Sequence, residues 1–312
     1  MIALDVPHTK SMLKMLLRER GIRLRKQWGQ NFLIDQNILR FIIKSAELDR
    51  NDIVLEIGAG TGSLTRLIAE KAGHVFAVEM DRKLFEIMVE TLSNFDNVSA
   101  INKDILKSKH HIHPEIEENV SDYVQSISGK IKEPCIKVIS NLPYYISTPI
   151  IIDLLQGDLP IKVMIITLQR DITNRLVANP ATKDYGLLSI ITRLFADVKV
   201  LKKLPPDVFW PAPLVDSAIV KIDVNRNKFS GEIRDFNTFL DIIKTIYISR
   251  RKTILNSLLL FSLNTDKEKD VQKMRECLTQ MLKGTGIEPG SRGEELDVEK
   301  LIELSNKFSV IN

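Results

Sequence analysis

The chain of 312 residues predicts an α/β domain on a largely parallel sheet, followed by a small all-helical domain. Three observations carry this. A short apolar run, Ile53 to Ile57, enters the glycine-rich turn Gly58-Ala59-Gly60-Thr61-Gly62 and is followed by a helical pattern and a second apolar run. Strand-like and helix-like segments then alternate as far as Val224, and beyond the polar stretch Asn225 to Gly231 only helical periodicity remains. Alternation of this kind builds crossover units with parallel strands, and a strand–turn–helix with glycines in the turn is where such units receive a nucleotide.

The elements follow in order. Leu13, Leu16 and Leu17 are spaced for one apolar helical face within the basic segment Lys10 to Lys26. After the glycine turn, Ser63 to Ala72 reads as a helix, His74 to Val78 as a strand, Asp81 to Leu92 as a helix and Val98 to Asn102 as a short strand. Lys137 to Ser140 is a strand running into Asn141, Ile150 to Leu155 a helix, and Lys162 to Leu168 a buried strand. Helices are expected over Asp171 to Val177 and Tyr185 to Leu194. Strands at Asp197 to Leu204 and Ser217 to Val224, joined by a short proline-rich connection, are expected to extend the sheet antiparallel. Between Lys107 and Pro134 the pattern weakens; with His110, His111, His113 and several acids, this stretch reads as a solvated excursion without a metal. The tail holds helical segments from Phe236 to Tyr247, Thr253 to Leu260, Asp270 to Lys283 and Asp297 to Ser305, which divides the chain into residues 1–226 and 227–312.

Composition narrows the class. The chain is 44% hydrophobic and 27% charged with a net charge of +4, so its cations matter by placement rather than by excess. Cys135 and Cys277 lie far apart, without zinc or redox spacing, which predicts reduced thiols and a cytoplasmic protein. No apolar run reaches the roughly 20 residues that span a bilayer, and MIALDVPHTK lacks the pattern of a secretory leader.

Chemistry concentrates at the predicted strand ends. Gly58 and Gly60 let the backbone approach a ligand, and Glu79, at the end of the next strand, is placed to accept ribose hydroxyls. Asp104, after the following strand, can accept a hydrogen bond from a cofactor's adenine amine. The strongest local signal is Asn141-Leu142-Pro143-Tyr144. An asparagine amide oxygen and the Leu142 carbonyl can together accept the protons of an exocyclic amine, Pro143 stiffens the backbone, and Tyr144 offers a ring against which a purine stacks. Phe209 and Trp210 are candidates for a second wall. Arg23, Arg25, Lys26, Arg170 and the cluster Arg250, Arg251 and Lys252 are candidates for phosphate contacts, and the basic segment Lys10 to Lys26 reads as a helix that faces RNA or covers the domain.

These residues carry a resemblance. From Gln27 through GQNFL at Gly29 to Leu33, VLEIGAGTGSLT at Val54 to Thr65, VFAVEMDRKL at Val75 to Leu84 and NLPYYISTPI at Asn141 to Ile150, the sequence resembles the KsgA family of ribosomal RNA adenine N6,N6-dimethyltransferases. The likeness continues through LQRDITNRLVANPATKDYG at Leu168 to Gly186, PPDVFWPAPLVDSAIVKI at Pro205 to Ile222, SRRKTILNSL at Ser249 to Leu258 and GIEPGSRGEEL at Gly286 to Leu296. It implies a Rossmann-like class I S-adenosylmethionine-dependent methyltransferase domain with a small helical domain. It also implies that Asn31, Leu33, Gly58, Gly60, Glu79, Asp104 and Asn141 hold S-adenosylmethionine, and that Asn141 to Tyr144 form the catalytic motif. The implied substrate is a pair of adjacent adenosines near the 3′ end of small-subunit rRNA in an assembling 30S particle. A monomer is expected, with no membrane, DNA or metal partner.

The chain departs from the family's common form at Ala59 and Thr61, where proline and leucine are usual, at Tyr145, where asparagine is frequent, and in the length of the 107–134 excursion. An Erm-like enzyme acting on large-subunit rRNA is the nearest alternative; the matches beyond Pro205, extending into the tail, favour KsgA. A non-catalytic assembly factor fits poorly with intact Glu79, Asp104 and Asn141, and a NAD oxidoreductase leaves the Asn141 motif without a purpose.

Overall fold

Apolar runs separated by amphipathic stretches become a seven-stranded sheet with helical crossovers in the computed structural model, which describes residues 9–25, 29–108, 111–129, 134–229, 231–248, 250–265 and 270–311. Lys26, Gln27, His110 and Ser249, named above, lie outside the described residues. In chain order the first part comprises α1 (Lys10–Glu19), β1 (Phe32–Leu33), α2 (Gln36–Ala46), β2 (Asp52–Ile57), α3 (Ser63–Ala69), β3 (His74–Val78), α4 (Arg82–Thr91) and β4 (Val98–Ile101). Next come β5 (Leu106–Ser108), β6 (His111–Ile112), α5 (Pro114–Ile127), β7 (Cys135–Asn141), α6 (Ser147–Gln156), β8 (Ile161–Gln169), α7 (Arg170–Val177) and α8 (Leu187–Phe195). The chain ends with β9 (Ala196–Leu204), β10 (Phe209–Trp210), β11 (Ser217–Val224), α9 (Phe236–Ile248), α10 (Ile254–Thr265), α11 (Val271–Gly284) and α12 (Val298–Ile311).

The large sheet has the order β4-β3-β2-β7-β8-β11-β9. β2 pairs parallel with β3 and β7, β3 with β4, and β7 with β8, whereas β11 runs antiparallel to β8. All six residues of β2 are buried, as expected of a strand covered on both faces. Ile38, Leu39 and Ile42 of α2 and Leu64 and Ile68 of α3 join Val54, Val75 and Ile139 of the sheet in one core. The helix starts obey local rules: Asp35 and Asp81 each accept hydrogen bonds from two backbone N–H groups of the first turn. Because β2, β3, β4 and β7 are parallel, Gly58, Glu79, Asp104 and Asn141 emerge from one edge of the sheet, the edge where α/β folds bind ligands.

The 107–134 stretch is a correction to the expected solvated excursion. It contains β5, β6 and the 14-residue helix α5. Pro114 opens that helix, Glu115 and Glu117 occupy its first turn, and Ile116 and Val120, four residues apart, are fully buried. Tyr123 stacks on His74 with ring centroids 4.1 Å apart. Ile116, Val120 and Tyr123 share one face of the helix, and the acids of its other faces are left to water.

The chain divides into two compact units, Met1–Thr173 with Asp197–Val224, and Asn174–Ala196 with Asn225–Asn312. A linear division at 226 therefore misses that 174–196 belongs with the tail. The reason is apolar: Leu188, Ile190, Ile191 and Leu194 of α8 are buried, and α8 packs on α9 and α12. Within this second unit the tail segments 250–258 and 286–296 meet each other. Ile254 N donates to Ser291 O at 2.8 Å, Tyr247 Oη to Gly293 O at 3.0 Å, and a Cβ on Gly293 would lie 2.0 Å from Ile246 Cγ2. No described helix is long and apolar enough to cross a membrane.

Candidate functional site

The turn after β2 needs its glycines. Gly58 and Gly60 have φ of +73° and +61°, and a Cβ on them would stand 2.9 Å from Pro143 Cγ and 3.0 Å from Phe32 Cε1. The resulting cleft is lined by Asn31, Leu33, Gly58, Gly60, Glu79 and Asn141 among others, six residues separated in sequence by up to 110 positions and brought together by the parallel strand ends and the Gly29–Leu33 segment.

Glu79 is held by backbone donors: Gly60 N–H donates to Oε2 and Asp81 N–H to Oε1, both at 2.8 Å. Burial pushes its carboxyl up to about 6, against the pull of those donors. Each oxygen keeps a lone pair for a ligand hydroxyl. Asp104 does not line the main cleft. It is exposed, caps Leu106 N through Oδ1 at 3.0 Å, and borders a smaller adjoining pocket that shares Gly58, Met80 and Pro143 with the cleft. Tyr145, whose hydroxyl donates to Met80 Sδ at 3.1 Å, lines the same pocket.

The Asn141 amide is oriented by chemistry rather than by fit alone. Its Nδ2 donates to Asn31 O at 2.7 Å, a partner that can only accept, so the other end must be oxygen. That Oδ1 is buried and has no partner. Gly29, with φ +57°, brings its segment close to the Tyr144 backbone, where an added Cβ would lie 3.3 Å from Tyr144 N. Leu142 is buried, whereas Tyr144 is half-buried with its hydroxyl 2.9 Å from Ser217 Oγ, which ties the motif to the first residue of β11. Burial holds that hydroxyl above the usual phenol range.

One cleft residue is not singled out by the sequence. Glu56 is 2% exposed, lines the cleft, and has an Oε2 without a partner. Burial pushes its carboxyl up to about 8, and the nearby Glu79 charge adds to the shift. The signal was an acid inside the apolar run VLEI, where a charge has no structural reason to sit. A buried acid held by backbone donors, a second whose oxygen lacks a partner, and a glycine cradle fit a ligand that brings hydroxyls and other hydrogen-bonding groups, as S-adenosylmethionine does.

The two aromatic candidates part company. Phe209 is 1% exposed in the core with Leu33 and Ile219 and is not a wall for a substrate base. Alternation along β10 turns its neighbour the other way: Trp210 is half-buried, packed against the cluster of Leu13, Leu16, Leu17, Leu84 and Ile87, with Lys14 Nζ 5.6 Å above its ring. Arg250 is likewise committed within its own unit, to the Glu294 carboxylate at 2.9 Å and Lys183 O at 2.9 Å, whereas Arg251 and Lys252 are exposed. Arg170 pairs with Asp216 at 3.2 Å. Among the described residues there is no cluster of three or more metal-ligating side chains.

A family profile described as ribosomal RNA adenine dimethylase matches residues 21–302. The protein of Alkaliphilus oremlandii named ribosomal RNA small subunit methyltransferase A is 38% identical over 297 residues, covering 95% of this chain and 96% of its own length. The protein of that name from Streptococcus pneumoniae is 38% identical over 296 residues, with coverage of 95% and 96%. A crystal structure of a dimethyladenosine transferase from Plasmodium falciparum superposes with a TM-score of 0.69 at 23% identity, over 88% of this chain and 96% of that one. That of the 23S rRNA methyltransferase ErmE does so with 0.57 at 22%, over 89% and 99%. The structural likenesses are likenesses of fold, that of the Rossmann-like class I methyltransferases.

Proposed function

The chain belongs to the ribosomal RNA adenine dimethylase family, and from that membership we propose that it transfers methyl groups from S-adenosylmethionine to N6 of two adjacent adenosines near the 3′ end of small-subunit (16S) rRNA. The product is a pair of N6,N6-dimethyladenosines in an assembling 30S particle, made by a monomeric, cytoplasmic enzyme. The observation that carries the reading is the Asn141 amide, fixed through Nδ2 and left with an unpartnered buried oxygen at the cleft.

S-adenosylmethionine, when bound, supplies an electrophilic methyl group on a sulfonium. Glu79 would accept its ribose hydroxyls and Asp104 its adenine amine, while the glycine turn would admit its backbone-proximal face and the Glu56 carboxyl, which burial keeps mostly protonated at neutral pH, would offer a hydrogen-bonding group rather than a charge. The target adenine has to leave its stack to reach this cleft. Tyr144 would hold the extruded ring by stacking, with its hydroxyl fixed by Ser217. Asn141 Oδ1 and the Leu142 carbonyl would then accept the two N6 protons. The N6 lone pair is delocalised into the ring and poorly nucleophilic; two acceptors favour a pyramidal amine with its lone pair turned out of the ring plane. No strong base is needed at Asn141, because N6 becomes acidic only as its new bond forms, and its proton then passes to water. Positioning and fixed dipoles supply the rate enhancement.

The test is methyl transfer from labelled S-adenosylmethionine to unmethylated 30S particles and, in parallel, to large-subunit rRNA, with the modified nucleosides mapped. Dimethyladenosine at two adjacent positions in 30S is the expected outcome. Label only in large-subunit RNA would reassign the chain to an Erm-like activity, and no transfer to either by folded protein would leave an assembly factor without catalysis.

A further inference from the structure

Helix α1 carries two faces of different chemistry. Leu13, Leu16 and Leu17 are buried against Leu84 and Ile87 of α4, which anchors the helix, and the ion pair of Arg20 with Glu90 fixes its end. The flank next to that face presents Lys14 and Arg18, one turn apart, and Arg23 follows in the chain just beyond. With Leu17, Trp210 and Pro211 these cations line a groove of about 700 Å³ with no carboxylate among its described lining residues. Among the described residues none of the three has an acidic partner; Lys14 lies over the Trp210 ring instead.

The groove and the cleft have separate linings but are built on the same elements, α1 and the paired β1 and β10. Trp210 pairs in register with Phe32 of β1, the residue between Asn31 and Leu33 of the cleft, and Leu13 of α1 lines the cleft from the other side. The chain leaving Trp210 reaches Ser217, the hydrogen-bond partner of Tyr144, within seven residues, a span of about 25 Å at most.

We propose that this groove is a second RNA subsite that holds the single-stranded nucleotides flanking the target adenosine, with phosphates on Lys14, Arg18 and Arg23 and one base stacked on Trp210. The proposal rests on the rRNA reading above. Three cations beside an indole, with no acid among the described residues of the lining, match the alternation of phosphate and base in a single strand, for which cations track the backbone and aromatic faces take the bases. An extruded base at Tyr144 leaves its neighbours unstacked, and the groove meets them a few nucleotides away.

The experiment compares the wild-type chain with Lys14→Gln/Arg18→Gln/Arg23→Gln and with Trp210→Ala. Each protein is titrated over a range of salt with a single-stranded RNA fragment carrying the target adenosines and their neighbours, and assayed for transfer to unmethylated 30S particles. Cofactor affinity and thermal midpoint serve as checks on folding. The triple variant is expected to lose about 2 from the slope of log K against log salt, at about 0.7 per phosphate contact. It should bind the fragment on the order of 10- to 100-fold more weakly at physiological salt, and raise KM while leaving kcat and cofactor affinity within about twofold. Trp210→Ala should lose affinity with the slope unchanged, and Trp210→Phe should recover most of it.

Unchanged fragment affinity and slope would overturn the proposal, as would a fall in kcat at constant KM. Weaker 30S binding with unchanged fragment binding would assign the groove to a ribosomal protein and also overturn it. Absence of transfer by the wild type would refute the rRNA reading instead, and the salt slope on the fragment would still decide the groove.

Discussion

The side of the cleft proposed for the cofactor and the side proposed for the substrate are finished to different degrees. On the first, Glu79 already holds two backbone donors and the glycine turn is shaped before any ligand arrives, although Glu56 Oε2 keeps no partner. On the second, Asn141 Oδ1 has no partner, Tyr144 is half-open, and Lys14, Arg18 and Arg23 of the α1 groove have no acidic partner among the described residues. A satisfied side binds with little reorganisation, whereas an unsatisfied one gains hydrogen bonds only when its ligand enters. Binding free energy is thereby held back for the arrangement in which reaction occurs.

The sharpest way to break this contrast is Asn141→Ala. It should lower kcat on the order of 10²- to 10³-fold, the scale of removing one preorganised electrostatic contact, with cofactor affinity changed far less. Equal losses in both, measured by single-turnover transfer and by cofactor titration, would make Asn141 a structural residue of the cofactor side. Next in size is Tyr144. Tyr144→Ala should cost about 10- to 100-fold in transfer, the worth of one stacked base, while Tyr144→Phe, which loses only the tie to Ser217, should cost a few-fold. Near-equal effects of the two would move the importance from the ring to the hydroxyl.

The smallest effect concerns pH. Glu79, with its carboxyl up at about 6, is ionised at pH 7.5 and becomes protonated as pH falls, so it loses its capacity to accept two ligand hydroxyls. Cofactor affinity is expected to fall as pH drops through about 6. Titration in a Glu56→Gln background isolates this limb from the acid near 8. A flat profile between pH 5 and 7.5 would mean that the cofactor side does not depend on the Glu79 charge.

What was legible in the sequence was local. The parallel strands announced themselves as apolar runs, and the strand-end residues followed from where those runs stopped. What was hidden depended on distant partners. Helix α5 carries Ile116, Val120, Tyr123 and Ile127 at helical spacing, but only the first two are fully buried, and the acids between them make the stretch read as solvated until Tyr123 is brought against His74 and Phe76. Phe209 and Trp210 read alike in the sequence and separate in the fold, because adjacent strand residues face opposite ways and only the pairing with β1 decides which faces in. Arg250 reads as a free cation until Glu294, 44 residues later, is brought beside it. Glu56 was overlooked because an acid within a strand looks like an interruption, although its burial makes it part of the cleft.

The interleaved course of the chain has a consequence for how this enzyme can be divided. The polypeptide enters the helical unit at Asn174, returns at Asp197 to supply β9, β10 and β11, and leaves again at Asn225. Cutting after residue 226 would strip α8 of α9 and α12 and expose the buried side chains of Leu188, Ile190, Ile191 and Leu194 to water. Ending the chain before α8 would delete β11, and with it the Ser217 that steadies Tyr144. The catalytic unit is therefore not a detachable module: one strand of its sheet lies downstream of a helix owned by the other unit, so the two must be synthesised, folded and inherited together.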